Sequence, residues 1–226
     1  MVLLSIFGTA FSLVRWGNPN LVCWMSHLYG WVMRGITGIS VDLSGQEHLE
    51  AHQPCIYVAN HQSGFDMMTF GSVFPHRTVS VGKKEILYIP LFGILFKVTG
   101  NIMLDRGNRK RSMASLARAS ASLKARNICV WIFPEGTRNR SGEGLLPFKK
   151  GAFYMAIEAG VPIVPIVAAS YLELVNWRKG RVGPGRIAIQ ILPPISTLGL
   201  NTTDAEMLAQ RTREKMLEAL LKSTSP

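Results

Sequence analysis

The chain is poor in cysteine, poor in acid, and has no apolar run long enough to cross a bilayer as a helix. Its three cysteines, Cys23, Cys55 and Cys129, are odd in number, far apart and set in apolar runs. A disulfide framework does not fit that pattern, and with no CxxC and no close His/Cys clustering neither does a structural zinc site. They read as buried thiols in a reducing compartment. Acidic residues number 14 against 25 Lys and Arg, giving a formal charge of +11. An excess of that size calls for an anionic partner: nucleic acid, a phospholipid surface or a phosphorylated substrate. Two apolar stretches near the N-terminus, residues 1–14 and 21–33, each fall short of the roughly 20 residues of a membrane span. No basic n-region and no small-x-small site marks a cleaved leader. There is no internal repeat, no low-complexity stretch and no G-x-S-x-G nucleophile elbow.

What remains is a chain of 226 residues, 47% hydrophobic, with a mean hydropathy of +0.18. That is enough apolar material for a real core and enough length for one sizeable domain or two small ones. The charge is not spread evenly. Residues 77–186 carry 19 Lys and Arg against 6 Asp and Glu, whereas residues 1–76 carry 2 against 4 and residues 187–226 carry 4 against 4. The positive excess therefore lies in the middle of the chain and not in a detachable arm, which argues against a nucleic-acid tail.

The first 38 residues read as a unit of their own. Two apolar stretches flank Trp16-Gly17-Asn18-Pro19-Asn20, a turn sequence, and Trp24, Tyr29, Trp31, Arg15 and Arg34 are residue types of the lipid headgroup zone. The pattern predicts an apolar helical hairpin lying in one leaflet. A pair of ordinary core helices is the alternative. From residue 39 to 226 the texture changes to short apolar runs alternating with helical periods. Strands are predicted at 39–43, 55–59, 78–81, 101–104, 128–133, 163–168 and 186–192, and helices at 109–126, 148–158 and 203–222. That alternation defines an α/β domain with a largely parallel central sheet flanked by helices. Residues 86–96 are uncharged and nearly all apolar, with Pro90 and Gly93 inside the run. They fit either a buried helix or an element that dips into a membrane.

Chemistry concentrates at two places, both just after predicted strands. The first is Asn60-His61-Gln62-Ser63-Gly64-Phe65-Asp66. Residues five apart do not face each other on one continuous helix. His61 and Asp66 can meet if His61 sits in the strand-to-helix turn and Asp66 in the first helical turn. The carboxylate then holds one ring nitrogen and leaves the other free, the arrangement of a general base with its orienting acid. Imidazole is the side chain whose ordinary titration lies near neutrality, so it suits proton removal from a hydroxyl. A helix-capping Asp beside an incidental His is the plain alternative. The second place is Phe133-Pro134-Glu135-Gly136-Thr137-Arg138. There Arg138 offers a bidentate fork to a phosphate, and Gly136 permits positive φ or close backbone approach. Arg106, Lys83 and Lys84 follow other predicted strands and are further candidates for anion binding. Sites in open α/β sheets gather at the carboxyl ends of strands, which would bring these turns together.

These residues together resemble the glycerolipid acyltransferase family, and within it the bacterial 1-acyl-sn-glycerol-3-phosphate acyltransferases. Four blocks match in order: Asn60 to Ser63 with Asp66; Gly100-Asn101-Ile102 through Arg106; Phe133 to Arg138; and Val161-Pro162-Ile163-Val164-Pro165-Ile166. Val81-Gly82-Lys83-Lys84 and Leu145-Leu146-Pro147-Phe148-Lys149 are similar as well, so the likeness covers about residues 39–194. Asn139 departs from it, standing where many members have a small hydroxyl residue. The N-terminal apolar region is also short for the family.

The resemblance implies that His61, oriented by Asp66, deprotonates the sn-2 hydroxyl of lysophosphatidate, which attacks the thioester of acyl-CoA or acyl carrier protein and yields phosphatidate. It implies substrate binding by Arg106, Glu135, Gly136, Thr137 and Arg138, with Glu135 organising the glycerol or the arginine pair, and a contribution from Lys83 or Lys84 to oxyanion stabilisation. It implies no metal and no cofactor, an anionic membrane surface and no nucleic acid as partners, and a monotopic or peripheral enzyme on the cytoplasmic face of the bacterial inner membrane. Transfer to glycerol 3-phosphate or another lysophospholipid stays open on these motifs. A non-enzymatic anionic-lipid-binding role is allowed by the charge pattern, but the ordered His/Asp and Glu/Arg motifs argue against it.

Overall fold

A computed structural model describes residue 18 and residues 20–90, 92–105, 107, 109–176 and 180–224. Residues 1–14, the first arm of the expected hairpin, and Arg106 lie outside the described residues.

Seven strands form one sheet: β1 (Ile39–Ser44), β2 (Ile56–Ala59), β3 (Thr78–Lys83), β4 (Ile102–Leu104), β5 (Cys129–Ile132), β6 (Ile163–Ala168) and β9 (Gly185–Ile191). Their order is β1-β9-β6-β2-β5-β3-β4. Every pairing is parallel except β6 with β9, so the sheet is parallel within each of two blocks and reverses once between them. A small hairpin, β7 (Val175–Asn176) with β8 (Arg181–Val182), stands apart from it. The helices are α1 (Leu21–Thr37), the single turn α2 (Asp66–Thr69), α3 (Phe92–Val98), α4 (Arg109–Arg126), α5 (Gly151–Ala159) and α6 (Ala205–Thr224). The expected α/β class with a largely parallel sheet holds.

The central strands β2, β5 and β6 are buried along their whole length, the burial that parallel sheets require. Side chains alternate between two cores. Ile56, Val58, Val130, Ile132, Ile163 and Val167 face α4, α5 and α6, where Leu123, Phe153, Leu208 and Met216 meet them. Tyr57, Ala59, Cys129, Trp131, Ile166 and Ala168 face the other side, where Val22 and Cys23 of α1 and Phe65, Phe70 and Phe74 after β2 meet them. The sheet thus has a helical layer on each face, with α1 in the second layer.

The segment 21–37 is helical as expected. One face of α1 is sewn to the domain. Cys23 Sγ donates to the Phe74 carbonyl at 3.2 Å, and the Asn20 side chain accepts from the Arg77 amide at 2.8 Å. The backbones cross closely at Gly30 and Gly71: a Cβ on Gly71 would lie 2.3 Å from the Ser26 carbonyl oxygen. The other face leaves Trp31 69% and Ile36 74% exposed.

The apolar run 86–96 divides at Pro90 into a 3-10 turn (Lys84–Tyr88) and α3. Leu95 packs inward against Met25 and Tyr29 of α1, while Tyr88 and Ile94 point out, so this segment is half core and half exposed apolar surface. The helix expected at 148–158 begins three residues later, at Gly151, and the Lys149 amide before it bonds the Pro134 carbonyl at 2.8 Å. No helix of the described residues is long and apolar enough to cross a membrane.

Gly71→Ala places a methyl group against fixed backbone, where relaxation is hard. The expected cost is about 1–3 kcal/mol, as for overpacked cores. Urea unfolding of the variant checks it, and an unchanged midpoint would mean that α1 is not held by this crossing.

Candidate active site

β2 ends at Ala59, and the next seven residues form the turn into α2. Two amides hold that turn to the end of β6. Asn60 donates to the Ala168 carbonyl and accepts from the Ala168 amide, both at 2.9 Å, which carries the β2–β6 pairing one step beyond the backbone ladder. Gln62 donates to the Ala168 and Ala169 carbonyls at 3.1 Å each.

Asp66 opens α2 and turns its carboxylate back into the loop. Oδ2 accepts from the Gln62 amide at 2.8 Å and the Ser63 amide at 3.2 Å, and also pairs with His61 Nδ1. Oδ1 accepts from the Tyr171 hydroxyl. A carboxylate only accepts, so Nδ1 carries the proton and the neutral ring keeps its lone pair on Nε2. Asp66 is 2% exposed at its side chain and His61 20%, so the acid is sealed and the base is reachable. Burial pushes the Tyr171 hydroxyl well above the usual tyrosine range, with the Asp66 charge adding to it. The ring of His61 stacks on Phe133, centroids 4.2 Å apart and planes within 14°. The plain alternative, an Asp that merely caps a helix, does not account for the ring held on Oδ2.

The second motif wraps the first. Phe133 to Arg138 follows β5, which lies beside β2 in the sheet. Glu135 is 2% exposed, and both of its oxygens are taken by backbone: Oε1 by the His61 amide at 2.8 Å and Oε2 by the Leu146 amide at 3.0 Å. Burial pushes its carboxyl above the usual range, against the two N–H groups and His61 that draw it down. These two bonds tie Glu135 to the main chain of the His61 turn and of the loop at Leu146, and each oxygen keeps a lone pair for the part expected of it at the glycerol or the arginines. Gly136 has the positive φ expected of it, +68°, and the Lys149 side chain fills the space of a Cβ, with Nζ 2.9 Å from that point. Thr137 and Arg138 are exposed. The Arg138 guanidinium lies over Gly64, 3.8 Å from where a Cβ would stand, and so flanks the His61–Asp66 turn.

The remaining candidates divide. Lys84 is engaged elsewhere: its amine donates to Asp105 at 2.9 Å, and that contact raises the lysine and lowers the acid. Lys83 is exposed at the carboxyl end of β3. Among the described residues no group of three or more His, Cys, Asp or Glu is placed to hold a metal ion. The three cysteines are buried free thiols, with Cys55 and Cys129 sulfur atoms 3.7 Å apart on adjacent strands.

Tyr171, Lys149 and Leu146 were not picked as site residues from the sequence. Tyr171 follows β6 by three residues in a stretch with no motif, and only the fold brings it under Asp66. Lys149 did carry a signal, since it closes the Leu145 to Lys149 block, but nothing in the sequence said which loop it would touch. Asn139 also gains a reason. Its amide donates to the His61 carbonyl at 2.7 Å, while its side chain binds the Glu143 and Gly144 carbonyls and accepts from Ser141. A hydroxyl residue there could not bond in so many directions.

An imidazole with a free Nε2, backed by a buried carboxylate and rimmed by arginine and lysine, is what a hydroxyl-activating group-transfer site needs. The family comparison agrees: the acyltransferase family model matches residues 40–169. An enzyme of Haemophilus influenzae named 1-acyl-sn-glycerol-3-phosphate acyltransferase is 40% identical over 212 residues, 92% of this chain and 85% of that protein. An Escherichia coli enzyme of the same name is 38% identical over 215 residues, 95% of this chain and 86% of that protein. The crystal structure of the 1-acyl-sn-glycerophosphate acyltransferase of Thermotoga maritima superposes with a TM-score of 0.76 over 100% of this chain and 96% of that one, at 23% identity, so it speaks to the fold. This chain belongs to the acyltransferase family.

Tyr171→Phe removes one donor from a sealed carboxylate and changes little else. Expected are a loss of about 1–3 kcal/mol in stability and a fall of roughly tenfold in turnover, as the orienter loosens. Urea unfolding and a thiol-release assay measure the two, and wild-type values in both would strip Tyr171 of its part.

Proposed function

We propose that this chain transfers a fatty acyl group from acyl-CoA or acyl carrier protein to the sn-2 hydroxyl of 1-acyl-glycerol 3-phosphate, giving phosphatidate. The observation that carries the reading is the His61–Asp66 pair, with Nδ1 held by the carboxylate and Nε2 open. The names of the relatives supply the substrate class.

Nε2 takes the proton of the acceptor hydroxyl as that oxygen attacks the thioester carbonyl. The new C–O bond forms, the C–S bond breaks, and the imidazolium returns the proton to the departing thiolate. Thioester and ester are at one oxidation level, so the exchange needs no redox cofactor. Asp66 favours the imidazolium as it forms. Arg138, over Gly64, holds the acceptor phosphate through a charge-assisted fork. Lys149 beside Gly136 and Lys83 at the end of β3 extend the positive rim, and Thr137 borders it. Arg106 keeps its expected part in phosphate binding on the strength of the motif alone.

The acceptor is half lipid, so the same reading seats the enzyme on an anionic membrane, attached from one side at the cytoplasmic face. Supporting it are the basic middle of the chain and the exposed apolar residues of two neighbouring elements, Trp31 and Ile36 on α1 and Tyr88 and Ile94 around α3. Juxtamembrane Lys and Arg contribute about 1 kcal/mol each near such a surface.

His61→Ala is expected to lower turnover by about 10²–10⁴-fold while circular dichroism stays native; full activity would remove His61 as base. In the same assay Arg138→Ala should raise KM for lysophosphatidate by about 10–100-fold, the weight of a hydrogen bond to a charged group, and leave kcat nearly intact. A preference for glycerol 3-phosphate over lysophosphatidate would overturn the acceptor. Flotation with vesicles containing anionic lipid should carry the protein up at low salt and release it in part at high salt. Protein that stays at the bottom of a low-salt gradient would contradict the membrane seat.

A further inference from the structure

We infer that Arg213, on the C-terminal helix α6, is a positioning residue for His61, acting through Leu146 and Glu135. The inference rests on the reading of His61 as the base.

The path is made of hydrogen bonds. Arg213 Nε donates to the Leu146 carbonyl at 3.1 Å, and its terminal nitrogen donates to the Leu145 carbonyl at 2.5 Å. Leu146 in turn donates its own amide to Glu135 Oε2 at 3.0 Å. The other oxygen of Glu135 accepts from the His61 amide at 2.8 Å. One residue, Leu146, thus carries both the contact to the arginine and the contact to the buried acid.

The loop that Leu146 belongs to needs such an anchor. Residues 139–150 run without a strand or helix of their own. Near its start the loop touches His61 a second time, through the Asn139 amide on the His61 carbonyl at 2.7 Å. The histidine peptide is therefore gripped at its N–H by way of Glu135 and at its C=O by Asn139. At the far end Arg213 ties the loop to a helix whose neighbouring Thr212 and Met216 are fully buried. A flexible lysine could reach one carbonyl there, whereas a guanidinium spans two with a rigid fork.

If Arg213 only closed two stray carbonyls, its loss would cost stability and nothing more. If it positions His61, its loss moves the base and frees the Leu146 amide from Glu135.

The test uses the full chain with lysophosphatidate and an acyl-CoA, comparing wild type, Arg213→Met, Arg213→Lys, Glu206→Gln and His61→Ala. Glu206 on the exposed start of α6 pairs at 2.7 Å with Lys150, the last residue of the loop, so its variant removes an α6–loop contact that does not involve Leu145 or Leu146. Arg213→Met should lose about tenfold or more in kcat with both KM values within about twofold, since a base displaced by even an ångström costs up to about a hundredfold. Arg213→Lys should fall between, and Glu206→Gln should match wild type. Wild-type kcat in both Arg213 variants would overturn the inference. So would an equal loss in Glu206→Gln. An active His61→Ala would instead overturn the reading of the base.

Discussion

One buried carboxylate organises this protein. Asp66 accepts from two backbone amides of its own loop, from the ring of His61 and from the hydroxyl of Tyr171. The donors come from different parts of the chain, and each costs something to bring there. A sealed acid with fewer partners would be expensive to keep. Four donors offset that cost only if the β2–α2 turn and the stretch after β6 are fixed relative to each other. The amides of Asn60 and Gln62, which stitch the same turn to Ala168 and Ala169, supply that fixity. The tautomer of His61 is a consequence of this framework and not a separate provision.

Much of the architecture was legible because strands buried on both faces read as unbroken apolar runs. Ile163–Ala168 has no polar residue at all, and its bounds come directly from the sequence. The helix Arg109–Arg126 was equally plain from its three-four spacing. The start of α5 was misplaced because Phe148, Lys149 and Lys150 suit a helix locally, whereas in the fold they belong to the loop that bonds Pro134. The hairpin of Val175–Asn176 with Arg181–Val182 was missed: two-residue strands are too short to show a period.

The site was legible to a different depth. His61 and Asp66 could be paired from spacing and turn chemistry, since an imidazole and an acid five apart meet only across a strand-to-helix turn. Glu135 was found from its motif, as a ligand contact among Gly136, Thr137 and Arg138, which are half-buried or exposed. Its burial to 2% and the bonds of both oxygens to main-chain amides were not legible, because they depend on where the His61 and Leu146 amides fall in the fold. Tyr171 and Arg213 lie 105 and 67 residues from the partners they bond, and no local pattern announces a contact of that range.

The bonds of the two acids also explain why the cationic side chains are free to serve a ligand. In the two motif turns the acids bond N–H and O–H groups: Asp66 four donors and Glu135 two main-chain amides. Neither forms an ion pair with Arg138 or Lys149 in the structure. A guanidinium beside an unsatisfied carboxylate would be neutralised within its own site. Here the negative charge is buried and pointed at N–H and O–H groups, while the positive charge stays at the rim, with the Lys149 stem laid across Gly136 and the Arg138 fork over Gly64. At β4 the opposite holds, for Lys84 is paired with Asp105 and so does less to attract an anion. Charge separation of this kind, acids inward on backbone and bases outward on flexible stems, is what the proposed reaction requires, since an anionic acceptor would approach a histidine that becomes positive as it takes the proton. On that proposal the acceptor phosphate would lower the cost of the imidazolium together with Asp66, while Glu135 holds the His61 peptide.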